Sequence, residues 1–280
     1  MTTTTPTSSV PTSADPAPTT AGGPGCRLAA RDARIGYAER TVIDQLSVEI
    51  PDRSFTVIIG PNACGKSTLL RAMARLLRPR EGSVVLDGTD IAMLPPREVA
   101  KRLGLLPQAS IAPDGIRVVD LVARGRFPHR SFLRQFTTRD REVVREALRA
   151  TGVDDLSGRL VDELSGGQRQ RVWIAMVLAQ ETDLLLLDEP TTYLDIAHQV
   201  GVLDLAARLH GQGRTVVAVL HDLNHACRYA TNLVAMRDGA LVAEGPPADI
   251  VTAELVEEVF DLRCLVIEDP VSGAPLVIPR

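Results

Sequence analysis

Aromatic residues are scarce in this sequence: 3% of its 280 residues, with a single Trp. That argues against a stacking surface for single-stranded nucleic acid, which needs rings to meet successive bases. A basic excess is missing too. The formal net charge of −4 supplies no cationic face for a duplex backbone, so no nucleic-acid partner is expected. The four cysteines, Cys26, Cys64, Cys227 and Cys264, are scattered and form no C-x-x-C pair. Neither a zinc site nor a disulfide framework is indicated. No uninterrupted apolar stretch approaches the ~20 residues that cross a bilayer. The N-terminus shows neither the basic nor the apolar region of a signal peptide. A soluble protein is expected, whose link to any membrane runs through a partner. No internal repeat is evident.

What is present has a globular balance, 45% hydrophobic and 24% charged, in a length that suits one large domain or a domain with a subdomain. Residues 1–25 are mostly Thr, Pro, Ser, Ala and Gly with one charge, Asp15, and cannot bury an apolar face. They read as a disordered tail. From 26 onward, segments 27–36, 41–50 and 54–59 read as strands. Val42, Leu46, Val48 and Ile50 suggest a sheet with one wet face. A further strand at 83–87 ends in the turn signal Asp87-Gly88. From about 95 to 180 the pattern is helical. Apolar strands follow at 183–188 and 214–219, separated by a helix at about 195–209. Buried strands alternating with helices imply a parallel sheet covered on both faces.

Gly60, Pro61, Asn62, Ala63, Cys64, Gly65, Lys66 and Ser67 fit the phosphate-loop pattern G-x-x-x-x-G-K-[ST]. The apolar Val57-Ile58-Ile59 precedes the loop, and Lys66, Ser67 and Thr68 open an apolar-periodic helix, so the strand–loop–helix context is present. Glycines let backbone N–H groups turn inward around phosphate oxygens, at a helix start whose dipole favours anions. Lys66 would reach the β- and γ-phosphates and the Ser67 hydroxyl would ligate Mg²⁺. The Cys64 thiol, beside a helix N-terminus, is a candidate for a lowered pKa but not for a catalytic part.

Leu184-Leu-Leu-Leu-Asp188-Glu189 is an apolar strand ending in two carboxylates. Alone it fits an exposed acidic turn equally well. Delivered to the same sheet edge as Lys66, it places Asp188 to hold Mg²⁺ and Glu189 to deprotonate or orient an attacking water. About a hundred residues beyond the phosphate loop, Leu164-Ser165-Gly166-Gly167-Gln168-Arg169 is a second glycine-rich turn that opens a helix. One nucleotide needs only one phosphate loop, so the second suggests that another copy closes on the same phosphates.

With these motifs in this order, residues 27–280 resemble the nucleotide-binding subunit of an ABC importer. The resemblance implies an α/β fold: a P-loop ABC ATPase domain over 26–280 with a mixed sheet core, an antiparallel β subdomain and an inserted helical subdomain at about 95–180. It implies ATP and Mg²⁺ as cofactors. Tyr37 matches the aromatic that stacks on adenine, and Gln108 the glutamine that ligates Mg²⁺ and senses the γ-phosphate. Ser165, Gly166, Gly167 and Gln168 match the signature that serves the opposite subunit's nucleotide. Asp195 matches the aspartate of the dimer-crossing loop, and His221 the switch histidine that contacts the γ-phosphate. Ala63 stands where relatives often carry Gly. The implied partners are a second ATPase subunit, integral-membrane permease subunits and, indirectly, a substrate-binding lipoprotein. The implied location is the cytoplasmic face of the membrane, reached through the permease.

Gly104-Leu-Leu-Pro-Gln108, Leu121 to His129, Val172 to Gln180, Thr191 to His198 and His221 to Tyr229 resemble the ATPases of ferric-siderophore importers, with most likeness to the ferric-enterobactin type. Haem or cobalamin importers are the alternative, because their ATPases are similar and the cargo does not touch this subunit. A non-transport ABC ATPase would carry long coiled-coil or zinc insertions, and residues 68–164 hold neither sustained heptads nor cysteines. A non-hydrolysing regulatory module would lack Glu189 or His221. Arg126, in the segment expected to face the permease, reads as an exposed contact residue.

Overall fold

In the computed structural model the described residues are 1, 25–130 and 136–280. The tail expected over 1–25 lies almost wholly outside them. In chain order the strands and helices are β1 (Cys26–Tyr37), β2 (Arg40–Pro51), β3 (Phe55–Ile59), α1 (Lys66–Met73), β4 (Glu81–Leu86), β5 (Thr89–Asp90), α2 (Pro96–Ala100), β6 (Leu103–Leu106), α3 (Val118–Ala123), α4 (Thr138–Ala150) and α5 (Gly166–Leu178). There follow β7 (Leu184–Asp188), α6 (Ile196–Gly211), β8 (Thr215–Val219), α7 (Leu223–Tyr229), β9 (Asn232–Arg237), β10 (Ala240–Gly245), α8 (Pro247–Ile250), α9 (Ala253–Phe260), β11 (Cys264–Glu268) and β12 (Pro275–Pro279).

The central sheet runs β10-β9-β3-β8-β7-β6. Its pairs from β9 to β6 are parallel and β10 is antiparallel, so the sheet is mixed. A second, antiparallel sheet runs β2-β1-β4-β5. Period-two alternation in the central strands feeds two apolar clusters at once. Val57, Leu185, Leu187, Val216 and Ala218 join the cluster that includes α3–α6. Ile58, Leu184, Leu186, Val217 and Val219 join the one with α1 and the antiparallel sheet. Burial on both faces is why these strands read as unbroken apolar runs.

The helical pattern expected from about 95 is interrupted by β6, which pairs with β7 from Leu103↔Leu184 to Leu106↔Leu187. Four residues, Leu-Gly-Leu-Leu, are too short for a strand period to show. Gly104 is needed because a Cβ there would stand 2.7 Å from Val177 Cγ1 on α5. The helices that follow, α3–α5, pack on one another.

Candidate functional site

The parallel register aligns the C-terminal ends of β3, β6, β7 and β8, with Ile58 and Asp188 both opposite Val219 and Leu106 opposite Leu187. The turns leaving these strands carry Gly60–Ser67, Gln108, Glu189 and His221, so four distant sequence segments meet at one sheet edge.

The Gly60–Gly65 turn depends on close approach. Gly60 has φ of 151°, and a Cβ on it would lie 2.2 Å from the Met236 carbonyl oxygen in β9. Ala63 accepts φ of 64°, a left-handed conformation that costs a non-glycine residue strain. Lys66 is buried, and its ammonium donates to the carbonyls of Gly60 and Pro61, both at 2.8 Å. Burial pushes the Cys64 thiol up, against the charge of Lys66, so the lowered pKa considered for it is not found. A cavity of about 410 Å³ opens above the loop, lined by Tyr37, Arg40, Val42, Asn62, Ala63, Gly65, Lys66, Ser67, Thr68, Glu189 and His221. A slightly larger cleft of about 470 Å³ lies beside Arg75, Arg78 and Arg80. It contains none of the phosphate-loop residues, and chemistry rather than size marks the site.

The carboxylates are held from several elements. The Ser67 hydroxyl donates to Asp188 Oδ1 at 2.7 Å. Burial pushes the Asp188 carboxyl up, against the Ser67 hydrogen bond and the charge of Arg71. Glu189 is 9% exposed with φ of 51°. Its Oε2 accepts from Gln108 Nε2 at 2.6 Å and from the Thr192 hydroxyl at 3.1 Å, and its Oε1 lies 2.8 Å from His221 Nε2. Tyr37 is 43% exposed at the rim, and its hydroxyl accepts from Arg71 at 3.3 Å.

Ser165, Gly166, Gly167, Gln168 and Asp195 do not line this cavity. They form a second group. Ser165 caps α5 in a reciprocal box with Gln168, satisfying two otherwise unpaired donors. A Cβ on Gly167 would stand 2.2 Å from the His198 ring, and His198 Nδ1 lies 2.6 Å from Asp195 Oδ1. The glycine-rich turn and the loop before α6 are therefore one surface, with Tyr193 almost fully exposed beside it.

A family model described as ABC transporter matches residues 43–192, more than half of the chain. The chain belongs to this family. Among ABC transporter relatives, the ferric enterobactin transport ATP-binding protein FepC of Escherichia coli (strain K12) is 55% identical over 254 residues, covering 90% of this chain and 94% of its own. The achromobactin transport ATP-binding protein CbrD of Dickeya dadantii (strain 3937) is 51% identical over 253 residues, with the same coverage of 90% and 94%. A solved ABC transporter of metal-chelate type, in an inward-facing conformation, matches with a TM-score of 0.79 at 28% identity, covering 91% of this chain and 98% of that one.

Sequence reasoning gave no part to Thr192, Arg71, Arg40 or Val42. Thr192 was visible only as the third residue after Glu189. The others reach the site through contacts that no local pattern records. Arg126, expected at the surface, is instead 4% exposed: Nε donates to Asp140 Oδ1 at 2.9 Å, and Nη1 to Glu181 Oε2 at 2.7 Å and to the Ala179 carbonyl at 2.8 Å. A charge reversal at this position would break that buried network before it could report on any permease contact.

The Lys66→Ala variant is expected to bind a fluorescent ATP analogue roughly 10- to 100-fold more weakly, the worth of a hydrogen bond to a charged group. Unchanged affinity would remove Gly60–Ser67 from the phosphate site.

Proposed function

We propose that this chain is the ATP-hydrolysing subunit of an importer that carries ferric siderophore through a membrane permease. The observation that carries the hydrolytic reading is Glu189: a buried carboxylate beside the phosphate-loop cavity, held by Gln108, Thr192 and His221. Lys66 supplies positive charge for the terminal phosphates, Tyr37 a face for the adenine at the rim, and Thr68 a lining hydroxyl. Glu189 takes the proton of an attacking water, and His221 steadies the same carboxylate and the γ-phosphate side of the cavity.

Mg²⁺ fits the donor set. Ser67 and Asp188 bring hard oxygen atoms within 2.7 Å of each other, and the side-chain carbonyl of Gln108 is the third candidate. Among the described residues no group of three or more His, Cys, Asp or Glu could hold a metal ion. With Ser67, Asp188 and Gln108 as protein ligands, the cation would take its remaining ligands from substrate phosphates and water. When bound it would offset charge on the phosphate oxygens.

The second group, Ser165 to Gln168 with Asp195, is read as completing the cavity of another copy, so the working unit is a head-to-tail homodimer. The helical region after Gln108 is read as the permease contact, and exposed Ile111 and Phe127 offer it apolar area. No helix among the described residues is long and apolar enough to cross a membrane. Attachment is read as running through the permease at the cytoplasmic face, with a substrate-binding lipoprotein serving the far side.

The cargo reading is supported by the siderophore names of FepC and CbrD. A strain deleted for this gene is expected to lose uptake of radiolabelled iron–siderophore and to grow slowly under iron limitation, recovering on excess iron. Normal uptake of every siderophore tested, with lost haem or cobalamin uptake, would transfer the assignment to those cargoes.

A further inference from the structure

His221 sits on the corner between β8 and α7, and the orientation of that corner decides whether its ring meets Glu189. The corner is fixed from three directions. Asp222 caps α7, its Oδ1 accepting from the His225 N–H at 2.7 Å. At the other end the Tyr229 hydroxyl donates to Asp204 of α6 at 2.8 Å. Between them, Asn224 makes a two-point bond to the backbone of β12: Nδ2 donates to the Val277 carbonyl at 3.2 Å, and Oδ1 accepts from the Val277 N–H at 2.8 Å. The amide thus imitates a neighbouring strand on the open edge of a two-stranded hairpin. Such a hairpin is marginal by itself. Here Val277 and Cys264 are buried against the main core, which anchors it.

We propose that Asn224 is a positioning residue for His221, and that the β11–β12 hairpin is thereby a working part of the hydrolytic site although it lies more than forty residues further along the chain. Only Asp222, the cap, and Leu223, the first residue of α7, separate His221 from Asn224. A change of tilt at the Val277 contact therefore appears at the imidazole. Asp222 and Tyr229 hold the ends of the helix, Ala226 and Cys227 bury its inner face, and the two-point amide bond adds the contact nearest to His221 on the β12 side. This inference rests on the reading of His221 as a hydrolysis residue.

The test measures steady-state ATP turnover and ATP-analogue binding of the full chain carrying Asn224→Ala, Asn224→Asp, His221→Ala and the Asn224→Ala/His221→Ala pair. Asn224→Ala is expected to lower kcat about tenfold or more with KM nearly unchanged, the pattern of a contact that matters only on the way to the transition state. Asn224→Asp keeps the acceptor for the Val277 N–H and should recover part of the loss. Because Asn224 acts through His221, the pair should be within about twofold of His221→Ala alone. Overturning results are Asn224→Ala turnover within about twofold of the parent, or a pair whose losses multiply fully. Should Asn224→Ala not fold, Asn224→Asp alone decides: kcat equal to the parent's overturns the proposal and a lowered kcat at constant KM supports it. Normal turnover in His221→Ala would instead refute the reading of His221, an outcome distinct from failure of Asn224.

Discussion

Replacing Glu189 by glutamine is expected to lower ATP turnover by roughly 10²- to 10⁴-fold, the usual worth of a positioned general base. ATP binding should survive, because the substitution leaves Lys66, Ser67 and Asp188 in place. The shape should survive too. A glutamine at 189 can still accept from Gln108 and Thr192 through its carbonyl oxygen, and its amide can donate to His221 in the tautomer that leaves Nε2 unprotonated. With binding intact and hydrolysis blocked, the variant should accumulate as an ATP-bound dimer, seen as a shift to earlier elution only when ATP is present. Turnover near the parent's would remove Glu189 from the chemistry and return Asp188-Glu189 to an acidic strand end.

The second large effect concerns stability. Arg126→Ala is expected to cost about 3–5 kcal/mol, because it leaves Asp140 buried without its cation. For a chain of this size that lowers Tm by on the order of 10 °C. Arg126→Glu should be worse, since it sets a third carboxylate beside Asp140 and Glu181. Burial by itself would push the Asp140 carboxyl up. The Thr137 backbone N–H and hydroxyl, together with Arg126, outweigh it and hold Asp140 down at about 2. A depressed folded-state value means stabilisation that is complete above the unfolded value of about 3.9 and disappears as pH falls through about 2. The stability gap between parent and Arg126→Ala should therefore narrow between pH ~4 and ~2 in denaturant melts. An unchanged Tm would show that the network is not coupled to folding.

The phosphate loop, the carboxylate strand and the histidine after β8 were legible because each is a local pattern: a glycine spacing, an apolar run with its terminal charges, a strand end. The sheet could be anticipated because both-face burial leaves continuous apolar segments. What could not be read was long-range. β6 is a strand only because β7 lies beside it. Arg126 is buried only because Asp140 and Glu181, 14 and 55 residues away, converge on it. Its neighbours in sequence, Arg124 and Phe127, give no sign of that. Asn224 looks like an ordinary polar helix residue until Val277 arrives from the far end of the chain. The Cys64 thiol sits at a helix start, which would lower its pKa, and burial overrides that position.

The three partners of Glu189 set a capacity limit. A carboxylate offers about four lone-pair sites, two on each oxygen. Oε2 fills both of its own with Gln108 and Thr192, while Oε1 lies 2.8 Å from His221 Nε2, which takes one site whenever that nitrogen carries its hydrogen. Among the described residues Oε1 has no other side-chain donor. On the proposal that Glu189 is the general base, the oxygen left to take the proton is the one beside the imidazole. On the same proposal, loosening Gln108 or Thr192 would free an acceptor site on the other oxygen, so a weaker grip on Glu189 would blur the choice of proton acceptor while leaving the carboxylate in place.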